Sequence, residues 1–253
     1  MLRPIFLRTV LAVCSFFGTV AFAQEPPILL RMIREPNLRA AAEIGQAFAS
    51  SRATTNVFAA SSTTGPAETL FFEVHESYAS IEDMDKAANV GRLSERSATF
   101  STILLHIPGL SFRPDLAAKL LPRARYFQIS TYRIRPGSGA EFAELMRIRR
   151  AAYDAINLDR PEMAYQVVSG GVNGSYVMIA PLTSLKTLDT GTVRNPAYAA
   201  ALGDSGVGFR KLSAEIELVR EQQLLRIEPE LSYVSDDWAE MGAGFWHPKF
   251  KNR

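Results

Sequence analysis

The chain repeats itself, and the repeat limits what it can fold into. The segment FFEVHESYASIEDMDK, Phe71 to Lys86, returns as SYVMIAPLTSLKTLDT, Ser175 to Thr190. At an offset of 104 residues, Ser80, Ile81, Met84 and Asp85 fall on Ser184, Leu185, Leu188 and Asp189. The same offset lays Leu38, Ala41 and Phe48 over Phe142, Leu145 and Ala152, at helical spacing in both copies. IREPN from Ile33 is echoed by IRPGSG from Ile134, and RPDL from Arg113 by EPELS from Glu228. Four echoes in the same order mark a duplication, which calls for two copies of one supersecondary unit.

Each copy reads as strand, helix, strand, strand, helix, strand. The first strand is expected over 28–34 in one copy and 126–135 in the other, and a helix follows each. Ser138 and Glu141 stand at the spacing of a capping box, in which each side chain satisfies a free amide of the first helical turn. Strands two and three form a hairpin, with Asn173-Gly174 at a turn that needs positive φ. Helical sequence resumes at Ser80 or Ser184, and a short fourth strand ends at the Pro-acid-Leu echo. The second copy carries an insertion around GTVRNPAYAAALGD. This order is the ferredoxin-like split arrangement. The expected class is therefore α+β, with two tandem ferredoxin-like units over 24–117 and 124–232. Strands one and three lie at the centre of each four-stranded antiparallel sheet, with helices on one face.

These residues carry a family likeness. TYRIRPGSGAEF, Thr131 to Phe142, resembles the opening strand, Pro-Gly turn and helix of the dimeric α/β-barrel superfamily, especially its NIPSNAP-like and antibiotic-biosynthesis-monooxygenase-like members. FEVHESYASIEDM, Phe72 to Met84, resembles the segment from strand three into helix two of that group. The resemblance implies two ferredoxin-like units packed sheet to sheet as an α/β barrel, here supplied by one chain.

The first 23 residues read as an export signal. Arg3 and Arg8 precede an apolar run from Thr9 to Phe22, and Ala21-Phe22-Ala23 has the small residues of a signal-peptidase site. Cleavage near Ala23 would deliver the protein to the periplasm or the medium. The run is short for a membrane span, and Val13 before Cys14 is bulky for lipid-anchor processing, so no stable membrane anchor is expected. Removing Arg3 and Arg8 from the 28 basic residues leaves 26 against 26 acidic ones. With no cationic excess there is no electrostatic case for nucleic acid. Cys14, the single cysteine, leaves with the signal, so the mature chain has no disulfide and no thiol nucleophile.

Several apparent motifs fail on inspection. GDSG at Gly203 to Gly206 lacks the following glycine and the histidine context of the serine-protease loop. SGGVNGS has no Lys-Ser/Thr to hold a phosphate and reads as a hairpin turn. His75, His106 and His247 lack ligand spacing, so no metal is expected. Some members of the superfamily bind haem. No histidine stands between His106 and His247, and both Trp238 and Trp246 lie in the tail, so no cofactor is expected either.

The sharpest candidate is on strand three. Glu73 and His75 share one face because strand side chains alternate, and the offset of 104 sets them over apolar Val177 and Ile179. Arg31 on the neighbouring strand is the expected partner of Glu73. A histidine beside a carboxylate can move protons or orient a polar ligand, and it can equally be a structural ion pair. Tyr132 and Tyr165, on predicted strands of the second copy, are candidates to line a cavity, and packing is the competing role. The tail 233–253 carries Trp238, Phe245 and Trp246, too apolar to hang free, and is expected to dock on the barrel.

No catalytic set is complete, so the first expectation for function is an exported binding or carrier protein for a small, largely apolar molecule. The alternatives are a cofactor-independent monooxygenase- or isomerase-like enzyme and a non-catalytic structural or interaction module. Self-association stays open. Fold does not choose among these, and the site must.

Overall fold

The computed structural model describes residues 25–51, 55–88, 100–189, 196–242 and 244–246. The expected export signal, with Cys14 and the expected cleavage site at Ala23, lies outside the described residues, as does His247. Eight strands follow in chain order: β1 (Leu29–Glu35), β2 (Val57–Ser62), β3 (Thr69–His75), β4 (Phe100–His106), β5 (Tyr126–Ile134), β6 (Met163–Ser169), β7 (Ser175–Leu182) and β8 (Glu217–Ile227). They close into one barrel in the order β1-β3-β2-β8-β5-β7-β6-β4, with every neighbouring pair antiparallel. Cut at its two seams, the barrel separates into β4-β1-β3-β2 and β8-β5-β7-β6. The first and third strands are central in each, as the ferredoxin-like order requires.

The seams are short. Between β2 and β8 the register runs from Ala60↔Ile227 to Ser62↔Leu225. Beside it Arg34 holds Glu68 at 2.9 and 2.6 Å, and Gln223 on β8 donates to Glu68 at 3.1 Å. Between β4 and β6 the pairing shifts at Ile103/Leu104. There Gly170, at φ 73°, passes so close to the Ser101 carbonyl that a Cβ would collide with it. Closure removes the free edges that two separate sheets would expose.

Alternation sorts the side chains into an inside and an outside. Leu30, Met32, Leu70 and Phe72 point into the barrel from the first half, and Phe127, Ile129, Tyr165, Val177 and Ile179 from the second. Ile33 and Phe71 point outward under α1 (Leu38–Ser50) and α2 (Tyr78–Ala88), against Ala41, Ile44, Phe48 and Met84. In the second half Tyr132, Ile134 and Met178 point outward against Phe142, Leu145 and Met146 of α4 (Gly139–Ala155). The remaining helices are α3 (Pro114–Leu120), α5 (Pro196–Leu202), α6 (Ser205–Ile216) and α7 (Asp236–Met241). No helix among the described residues is long and apolar enough to cross a membrane.

Local chemistry departs from the sequence expectation at several points. Asn37 caps α1, its side chain accepting from the amides of Arg39 at 2.9 Å and Ala40 at 3.2 Å. Ser138 occupies the cap position of α4 but makes no side-chain cap bond, so the expected capping box does not form. Its ψ of 28° is far from the extended conformation that aims a cap hydroxyl at the first-turn amides. The RPDL echo opens α3 rather than closing a strand, with Arg113 left-handed at φ 47° before Pro114. The second copy has only a 3-10 turn, Leu185–Leu188, where the first has α2, and β8 is 11 residues long where a short strand was expected.

The aromatic tail docks. Trp238 and Trp246 are buried against Phe58, with ring centroids 5.1 and 5.9 Å away, at one end of the barrel. The Trp246 indole donates to the Pro122 carbonyl at 2.7 Å, and the Arg125 guanidinium lies 3.9 Å from the centre of the Phe245 ring. Gly242 permits this packing, because a Cβ there would strike Trp246 and the Pro122 carbonyl.

Candidate functional site

Cross-strand register builds the first polar centre. Arg31 on β1 stands opposite Glu73 on β3, and His75 is two residues further along the same face. Arg31 Nε donates to both Glu73 oxygens at 3.0 Å, and Nη2 donates to Oε2 at 2.7 Å. Its Nη1 reaches Asp85 on α2. Glu73 is fully buried, and a carboxylate there without partners would cost several kcal/mol. Burial works against the Arg31 charge, but Glu73 and Asp85 outweigh it and hold the guanidinium above its ordinary pKa.

His75 extends the chain of bonds. Its Nε2 lies 3.1 Å from Glu73 Oε2, and its Nδ1 lies 3.2 Å from Ser80 Oγ. An ionised Glu73 only accepts, so Nε2 carries the hydrogen and Nδ1 faces the Ser80 hydroxyl. The single Ser80 hydrogen has two acceptors within reach, Nδ1 and the Ser77 carbonyl at 2.7 Å at the start of α2, and serves one of them at a time. The cluster lies on the helix-covered face of the sheet, outside the barrel interior.

Ser80 also borders a groove of about 460 Å³, together with Thr55, Asn56, Val74, Glu76, Ser77, Tyr233 and Ser235. That is room for a small molecule. The barrel interior is different. Leu30, Phe58, Phe72, Phe127, Met163, Tyr165 and Ile179 leave a cavity of only about 20 Å³ between them, enough for about one water. Val74 lines both spaces.

No protein-family model and no curated protein matches the chain. Solved structures do match. A Lactobacillus acidophilus protein provisionally assigned as a monooxygenase superposes with a TM-score of 0.50 over 80% of this chain and 94% of its own, at 9% identity. An anthrone oxidase-like protein does so with a TM-score of 0.50 over 81% and 93%, at 11% identity. A NIPSNAP-family protein of unknown function from Agrobacterium tumefaciens covers 41% of this chain and 88% of its own, at 17% identity and a TM-score of 0.30. The chain has the dimeric α/β-barrel fold. At these identities the likeness concerns the fold alone.

Within this α/β barrel the five expected site residues divide. Arg31, Glu73 and His75 meet in one cluster. Tyr132 and Tyr165 do not share a cavity, because they face opposite sides of the sheet. Tyr132 lies under α4, where its hydroxyl accepts from Arg149 Nη1 at 3.0 Å. Tyr165 points into the barrel, where among the described residues its hydroxyl meets the Met163 sulfur at 3.8 Å. Burial pushes that phenol well above the ordinary tyrosine range. His106, its ring 5.3 Å from Tyr165, is pushed below the usual imidazole value by burial, partly countered by Asp115.

The premise that singled out Glu73 and His75 needs correction. Val177 and Ile179 point into the barrel, so the offset of 104 compared an outer face with an inner one. A one-residue slip moves every strand side chain to the other face. Aligned on the Ile33/Ile134 echo, Arg31 lies over Tyr132, and their cross-strand partners Glu73 and Tyr176 correspond at an odd offset of 103.

Sequence reasoning missed Ser80 as the link to the groove and the whole polar cluster of the second half. Arg149 on α4 is 4% exposed and pairs with Glu162, while Tyr153 and Arg160 are buried beside it. A signal was present. Arg149 follows Leu145 by four residues and Met146 by three, which places a charge on the apolar face of the helix.

Proposed function

We propose that the protein is an exported binding protein for a small molecule that has both polar and apolar parts, held in the groove beside Ser80. One observation carries this reading: the groove of about 460 Å³ mixes the hydroxyls of Thr55, Ser77 and Ser80 and the Asn56 amide with Val74 and Tyr233. The interior cavity found among the described residues is only about 20 Å³, which supports placing the ligand in the mixed groove, so the ligand is read as less apolar than the sequence alone suggested. Export rests on the leader sequence. The test is extraction of co-purified small molecules from the intact protein, read by mass spectrometry. Glu76→Trp, which puts an indole on the exposed lining of the groove, should lose the bound molecule, and Tyr165→Phe should keep it. Equal retention by the Glu76 variant, or no bound molecule in any preparation, would overturn the proposal.

A second reading has its own support. Ser80 hydrogen-bonds His75, which is backed by Glu73, so a groove hydroxyl connects to a base and its orienting carboxylate. Such a chain can carry a proton to or from a bound molecule, as an isomerase-like enzyme requires. Incorporation of solvent deuterium into the bound molecule, lost in His75→Ala while retention persists, would establish it.

A further inference from the structure

The second half carries more buried positive charge than its neighbours neutralise. Arg149 and Arg160 are 4% and 9% exposed, and Arg220 of β8 places its guanidinium carbon 5.2 Å from the centre of the Tyr132 ring. Among the described residues, Glu162 is the one carboxylate ion-paired to this cluster, and it holds Arg149 Nη2. Glu217 acts on Arg149 only at longer range. Arg149 Nη1 is used by Tyr132, yet among the described residues Arg149 Nε has no hydrogen-bond partner. A buried guanidinium N–H without an acceptor is rare enough to ask what completes it.

The groups around that donor are suited to one kind of visitor. Tyr153, 5% exposed, stacks its ring 5.3 Å from the Arg149 guanidinium carbon, and the positive charge of Arg160, itself buried, acts on its hydroxyl. Tyr198 of α5 lies against Tyr153 with ring centroids 5.6 Å apart. Its phenol is pushed up to about 12, chiefly by burial, and so remains a donor. Tyr198 is half-buried and Arg220 is exposed, which places the approach from solvent past these two. Guanidinium groups and phenols converging without enough carboxylates are the donor set that planar or tetrahedral oxyanions recognise.

We propose that this cluster is an oxyanion-binding site, in which Arg149 Nε, the Arg160 guanidinium and the Tyr153 and Tyr198 hydroxyls hold the carboxylate or phosphate end of a small molecule. It lies on the helix-covered face of the second half and does not depend on the groove of the first. The charge pattern on Tyr153 agrees with it. Burial raises that phenol's pKa, but Arg149, Arg160 and then Arg220 outweigh burial and draw it below the ordinary value. The surrounding guanidinium groups favour negative charge at that position.

The test is calorimetric titration of the full mature chain at constant ionic strength, with inorganic phosphate in one arm and succinate in the other. Saturable binding of either is expected, and the arm that responds assigns the chemistry. Arg160→Gln and Tyr153→Phe should each weaken it by about tenfold or more, with circular dichroism confirming the fold. Arg147→Gln should not, because Arg147 is exposed on the same helix and paired with Glu144. If Arg160→Gln fails to fold, Tyr153→Phe alone carries the test. The proposal falls if neither anion saturates, if chloride alone gives the same heat, or if the folded variants bind as the parent does.

Discussion

The two halves share a fold and solve the same electrostatic problem differently. Each places a polar residue at one position on the outer face of its first strand, Arg31 in one and Tyr132 in the other. In the first half the cation comes from the strand, and its carboxylate stands directly across from it. Arg31, Glu73, His75, Ser80 and Asp85 then satisfy one another. In the second half the strand supplies a phenol and the helix supplies the cation, Arg149. Carboxylates are too few there, and a guanidinium N–H is left over. A closed network holds structure together, and an open one has valences to offer. Duplication supplied two equivalent frames, and their polar centres have diverged toward these two ends.

The strongest way to break this contrast is Glu73→Ala. It leaves buried Arg31 with only the half-exposed Asp85 as a partner and should cost ~3–5 kcal/mol, read by urea unfolding. The paired change Arg31→Met with Glu73→Val removes both charges and should recover most of that loss. If the pair is no better than the single variant, the first-half network is not self-contained.

Next in size is the tail, which clamps Phe58 of the first half to Pro122 in the link between the halves. Truncation after Val234 removes Trp238 and Trp246. Each buried tryptophan is worth ~2–3 kcal/mol, less the cost of ordering the segment. A clear fall in melting temperature is expected. An unchanged melting temperature, with rapid proteolysis of the tail in the intact protein, would show that the halves do not need the clamp.

The smallest expected change is the most discriminating. Arg160→Gln, in buffer free of phosphate and carboxylates, should leave unfolding free energy within ~0.5 kcal/mol or raise it, because it removes a buried cation that no carboxylate among the described residues pairs with. A loss comparable to that of Glu73→Ala would show the second-half cluster to be as closed as the first.

The order of elements was legible because alternation and helical spacing are local signals that survive divergence. Arg31, Glu73 and His75 were legible together because a cross-strand pair and a same-face neighbour follow from strand phase. The comparison between copies went astray for a physical reason. Ser80 and Ser184 align well, but the path from His75 to Ser80 is one residue shorter than that from Met178 to Ser184, so the strands slipped by one. The groove was not legible. It is assembled from Asn56, Val74, Ser80 and Tyr233, which no local pattern joins. Nor was the Arg149–Glu162 pair, whose partners come from a helix and from the segment before β6.

Seam geometry has a consequence for how the chain reaches its native state. The bond ladder that links Ala60 to Ile227 cannot form until nearly the whole chain is present, and contacts of such long sequence separation slow folding. Until then the first half has finished its own pairings but presents bare backbone along β2 and β4. A fragment ending near Leu120 would meet that need with a second copy of itself. It should therefore be recovered as a symmetric dimer that closes a barrel rather than as a stable monomer.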